Sequence, residues 1–65
     1  MDNMDTIAGI RKWLIQFRTV IYTKDRQLDL DIMEEEIRQA FEVGLLEKEM
    51  YMKALLTIQK ERREL

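Results

Sequence analysis

Arg11, Arg18, Tyr22, Lys24 and Arg26 are the residues of this chain whose types and spacing could do chemistry on a ligand. Arginine and lysine hold phosphate oxygens and a tyrosine ring stacks on an unpaired base, the combination that binds single-stranded nucleic acid. Arg11, Ile15, Arg18 and Tyr22 follow spacings of four, three and four, so a helix continued through them carries all four on one stripe. An apolar residue set between cations and an aromatic ring has the make-up of a binding surface. The bland reading is that Ile15 is one of the single apolar residues every surface carries. Lys24 and Arg26 would then pair with Asp25, Asp29 and Asp31 beside them, for about 0–1 kcal/mol each.

Other chemistry is poorly supplied. The chain has no serine, cysteine or histidine, and its threonines stand in unrelated segments, so the usual nucleophile and base pairings are missing. The expectation is a protein that is not an enzyme. Asp25, Asp29, Asp31 and Glu34 could offer oxygen ligands to Mg²⁺ or Ca²⁺, but the glycine and terminal glutamate of a calcium loop are not at the required spacing. Acids in the first turn of a helix have a simpler role, stabilising the positive end of its dipole. No metal and no cofactor is expected.

The elements that must position these residues fit in 65 residues, enough for one domain spanning 1–65. Without cysteine there are no disulfides, and a reducing cytoplasm is the natural setting. No apolar run approaches the roughly 20 residues that span a bilayer, and the acidic Met1–Asp5 stretch is unlike a secretory signal. The expectation is a cytoplasmic chain with no membrane partner. The net charge of −2 argues against a general polyanion binder but hides a segregation. Residues 1–27 hold five basic and three acidic groups, residues 28–49 two and eight, and residues 50–65 four and two.

Periodicity predicts an all-α three-helix bundle, with helices at about 5–21, 29–43 and 47–63. In the first, Ile7, Ile10, Leu14, Phe17 and Ile21 recur at helical spacing, widened by Trp13 and Val20 and capped by Asp5 or Thr6. Gly9 marks a close approach, which another helix could make. The second, starting at Asp29 or Asp31, turns Leu30, Met33, Ile37, Ala40 and Phe41 inward and stops at a left-handed Gly44. The third presents Tyr51, Ala54, Leu55 and Ile58. Short connections at about 22–28 and 44–47 imply antiparallel neighbours. Ile15, Ile32, Val43, Met52 and Leu56 fall off these faces; they either widen a small core or form a contact with a protein partner or a second copy.

The run Ile21-Tyr-Thr-Lys-Asp-Arg-Gln-Leu-Asp-Leu-Asp-Ile-Met-Glu-Glu-Glu-Ile-Arg38, with the later Ala54-Leu55-Leu56, resembles the YqgQ-like family of small proteins from low-GC Gram-positive bacteria. The likeness covers about residues 7–62. It implies a three-helix bundle with no established enzymatic activity and a role in binding single-stranded DNA or RNA. On this chain that role falls to the arginines and lysine as phosphate contacts and to Tyr22 as the stacking ring. The alternative is a protein-interaction or self-associating module with no nucleic-acid role.

Overall fold

The computed structural model describes residues 3–65. Three helices follow one another, α1 (Ile7–Ile15), α2 (Arg26–Glu42) and α3 (Lys48–Arg63), and no strand occurs among the described residues. The all-α, three-helix expectation holds. No helix among the described residues is long and apolar enough to cross a membrane.

Helices α2 and α3 form the largest interface and run antiparallel. Arg26 at the start of α2 meets Glu61 near the end of α3 at 2.6 Å, and Phe41 stacks on Tyr51 at the other end with ring centroids 4.1 Å apart. The turn between them is a double C-cap. Gly44 N–H donates to the Phe41 carbonyl at 3.1 Å and Leu45 N–H to the Ala40 carbonyl at 2.9 Å, with Gly44 at φ +84°. This satisfies carbonyls that the helix end would leave bare.

Helix α1 is much shorter than the periodicity suggests, ending at Ile15 rather than near residue 21. The same double C-cap ends it. Arg18 N–H donates to the Ile15 carbonyl at 2.8 Å and Thr19 N–H to the Leu14 carbonyl at 3.2 Å. Arg18 takes the left-handed position that glycine fills in α2, at φ +61°. Five residues follow, Thr19-Val-Ile-Tyr-Thr23, all β-branched or aromatic types that favour extended backbone over helix. Phe17 and Val20 are therefore exposed instead of joining the core, while Ile21 is buried.

This segment returns the chain along α1. Arg11 then lies beside Asp29 near the start of α2, while Trp13 and Phe17 lie beside Glu36 and Val43 toward its end. The contacts thus run in the same sense along both helices, so α1 and α2 are not the antiparallel pair expected from a short turn. Helix α2 also begins earlier than expected. Asp25, not Asp29 or Asp31, is the cap, its Oδ1 accepting Leu28 N–H at 3.2 Å.

The core gathers Ile10, Trp13 and Leu14 of α1, Leu30, Met33, Ile37 and Ala40 of α2, and Ala54 and Ile58 of α3. Ile21 and Leu46 seal its edges, with Ile32 and Phe41 packed against it. Met4 completes it, held by its carbonyl accepting the Thr57 hydroxyl at 2.7 Å. The close approach at Gly9 comes from this N-terminal segment rather than from another helix. A Cβ there would stand 1.6 Å from the Asn3 carbonyl oxygen. Thr6 caps α1, its hydroxyl accepting Gly9 N–H at 3.0 Å.

Candidate functional site

The segment between α1 and α2 is organised around one carboxylate. Asp29 is only 4% exposed. Its Oδ1 accepts the Thr23 hydroxyl at 2.6 Å and the Thr23 N–H at 2.9 Å, and its Oδ2 receives Arg11 Nη2 at 3.3 Å. The other Arg11 amino group donates to the Ile21 carbonyl. The Thr23 hydroxyl bond lowers the Asp29 pKa most; burial pushes back, and the Thr23 N–H and the Arg11 charge lower it further. The cluster is fully bonded, as a buried carboxylate requires.

This node fixes which side of the segment faces outward. Thr19 is half-buried and Ile21 buried, and Thr23 turns its hydroxyl to Asp29. The residues between them face water, with Val20 76% and Tyr22 71% exposed. Arg18 and Lys24 bound the row, both exposed and both at positive φ, +61° and +67°. Val20 and Tyr22 alternate with Thr19, Ile21 and Thr23 at the two-residue period of extended chain, and the left-handed Arg18 and Lys24 turn the chain at the two ends of that stretch. Among the described residues, no side-chain hydrogen bond or ion pair engages Arg18, Tyr22 or Lys24.

The five residues singled out by the sequence thus divide. Arg18, Tyr22 and Lys24 share the outward edge. Arg11 is turned inward onto Asp29 and Ile21, and Arg26 donates to Glu61 at 2.6 Å. A helical stripe from Arg11 to Tyr22 does not form, because the helix ends before Arg18. Ile15 is exposed on α1 beside the depression that Val20 and Ile21 also line.

The acids weighed as metal ligands have other partners: Asp25 caps α2, Asp29 holds Thr23 and Arg11, and Arg62 reaches Asp31 at 2.8 Å and Glu34 at 2.9 Å. Glu34 also pairs with Arg38 at 2.7 Å, as the four-residue spacing indicates. Sequence reasoning missed Asp29 as the organising group and Val20 as part of the edge. The signals were present: Asp29 precedes Met33 and Ile37 by four and eight residues, which places an acid on the apolar stripe where it must find donors.

A groove of about 200 Å³ adjoins the edge, between the C-terminal ends of α1 and α2. Trp13, Phe17 and Ala40 line it, with Thr19, Glu36 and Gln39 as its polar groups.

The model of the YqgQ-like family matches residues 4–64. The chain is 28% identical over 58 residues to "Uncharacterized protein YqgQ" of Bacillus subtilis (strain 168), an alignment covering 89% of this chain and 82% of that protein. No solved structure gives a significant match. With nearly its whole length matched, this three-helix chain belongs to the YqgQ-like family.

Proposed function

We propose that the chain is a non-enzymatic helical module that binds single-stranded nucleic acid through the outward edge Arg18–Val20–Tyr22–Lys24. The observation that carries this reading is Tyr22, a largely exposed ring without a hydrogen bond, set between two unpaired cations on a backbone pinned from behind by Asp29. Tyr22 stacks on a base, and Arg18 and Lys24 hold the flanking phosphates. Arg11 positions the edge from inside, while Arg26 reaches phosphate only by leaving Glu61. Two direct phosphate contacts imply weak, salt-sensitive binding, with a slope of log K against log salt of about −1.4. The absence of cysteine favours a cytoplasmic setting for this role.

The test is a titration of labelled single-stranded and duplex oligonucleotides at low and physiological salt. Saturable binding of the single strand, weakened about 5- to 150-fold by Tyr22→Ala, is expected, from the ~1–3 kcal/mol of a stacked base. Absence of saturable binding at low salt sinks the reading.

A protein-contact role has one observation in its favour. Leu56, 62% exposed, lies on the face of α3 away from Ala54 and Ile58, with the half-exposed Met52 one turn before it. Ile32 serves the core instead. Sedimentation of wild type and Leu56→Glu discriminates: concentration-dependent mass in wild type alone supports a self-contact through α3, and a monomer throughout removes it.

A further inference from the structure

The groove beside the edge is unused by the strand contacts above. Its volume of about 200 Å³ is below the ~300–1,000 Å³ of sites for drug-sized ligands and suits one planar ring system. Trp13 and Phe17 supply an aromatic wall, their rings 4.8 Å apart and tilted by 55°. Val43 and Leu45 form an exposed apolar rim. Glu36 stands in the lining, half-buried, and is without a hydrogen bond or ion pair among the described residues. Its neighbours on α2 differ: Asp29, Asp31 and Glu34 each hold an arginine, and Glu35 accepts from Gln39 at 3.2 Å. Thr19 lines both this groove and the depression beside Val20, and Phe17 and Thr19 flank Arg18 in the chain, so the groove lies next to the start of the edge.

We propose that the groove is a nucleobase subsite of the strand-binding edge and that it selects guanine, an inference that rests on the strand-binding reading. A base turned out of a strand held on Arg18 and Lys24 passes Thr19 and stacks against Phe17, the recognition mode of unpaired RNA and DNA. The Glu36 carboxylate only accepts hydrogen bonds, so the base must present donors. Guanine offers two side by side, N1–H and the N2 amino group, which a carboxylate takes in a bidentate pair. Uracil and thymine place carbonyl oxygens on both sides of N3–H, and these repel a carboxylate. Adenine and cytosine set one amino group beside a ring-nitrogen lone pair.

The experiment compares short thymidine strands carrying one central guanine, inosine or adenine, read by anisotropy and by emission of Trp13, the one tryptophan of the chain. The guanine strand should bind about 5- to 150-fold tighter than the adenine strand, the range of one bidentate base contact. Inosine, lacking the N2 amino group, should fall between, and Trp13 emission should shift with the guanine strand. Glu36→Gln should abolish the preference and leave affinity for an all-thymidine strand unchanged. Equal affinities for the three strands, or a preference retained in Glu36→Gln, overturns the proposal. If no strand binds, the edge reading fails, and free guanosine monophosphate titrated against Trp13 then judges the groove alone. A saturable change lost in Glu36→Gln supports a guanine site, and no change overturns it. An equal response to N-acetyl-lysine amide assigns the groove to a cationic side chain and also overturns it.

Discussion

Arg18→Gly should make this protein more stable and a weaker binder at once. Arg18 sits at φ +61° in the C-cap of α1, where a side chain costs about 1–2 kcal/mol. Its side chain makes no hydrogen bond or ion pair among the described residues, so no such contact is lost on replacement. Glycine removes the strain but gives the unfolded chain about 0.4–1 kcal/mol of extra conformational freedom. The net gain lies between about 0 and 1.6 kcal/mol and is centred on about 0.8, which for a domain of this size raises Tm by about 3–6 °C. Arg18→Ala keeps the strain and is the control. Thermal unfolding followed by circular dichroism should rank the glycine variant above both wild type and the alanine variant. Loss of one phosphate contact should lower the salt slope of single-strand binding by about 0.7 in both variants. A glycine variant no more stable than the alanine variant refutes the left-handed cap. Binding unchanged in both removes Arg18 from the edge.

Three other outcomes follow from the same geometry. Gly9→Ala drives a methyl into the Asn3 carbonyl and should cost about 1–3 kcal/mol in urea unfolding, with Met4 displaced from the core; a change below about 0.5 kcal/mol would show that the N-terminal segment is not seated there. Asp29 has a lowered folded pKa, so its contribution is present above the unfolded carboxylate value of about 3.9 and is lost as pH falls through the folded value. Wild type should therefore lose its stability advantage over Asp29→Asn below about pH 4, and an advantage unchanged by acid would contradict the node. Tyr22→Ala should leave stability within about 0.5 kcal/mol, because the ring is exposed; a larger loss would make Tyr22 a packing residue.

The sequence was most legible where one periodicity held without competition. Leu30, Met33, Ile37 and Ala40 mark α2, Ala54 and Ile58 mark α3, and Gly44 ends α2 at the expected place. Around residues 15–25 two periods overlap. Arg11, Ile15, Arg18 and Tyr22 fit a helix, while Val20 and Tyr22, alternating with Thr19, Ile21 and Thr23, fit extended chain. Neither glycine nor proline marks the break, because an arginine occupies the left-handed cap position. The decision rests on Arg11 meeting Asp29 across 18 residues of sequence, a tertiary contact that local pattern does not report. The edge residues were thus identifiable by type, whereas which cations stay unpaired depends on Asp29 and Glu61.

The return pass between α1 and α2 also sets an order of assembly. The α2–α3 hairpin closes through a five-residue connection and holds the larger interface, whereas α1 can dock only after residues 16–25 have doubled back and found Asp29. Local pairing precedes distant pairing when loop closure is costly. Amide hydrogen exchange should accordingly resolve two cooperative units, with α2 and α3 exchanging slowest and the α1 arm opening at lower free energy. Uniform protection across all three helices would instead mark a single all-or-none unit. In the two-unit case, the strand-binding edge and its groove belong to the part of the molecule that assembles last and opens first.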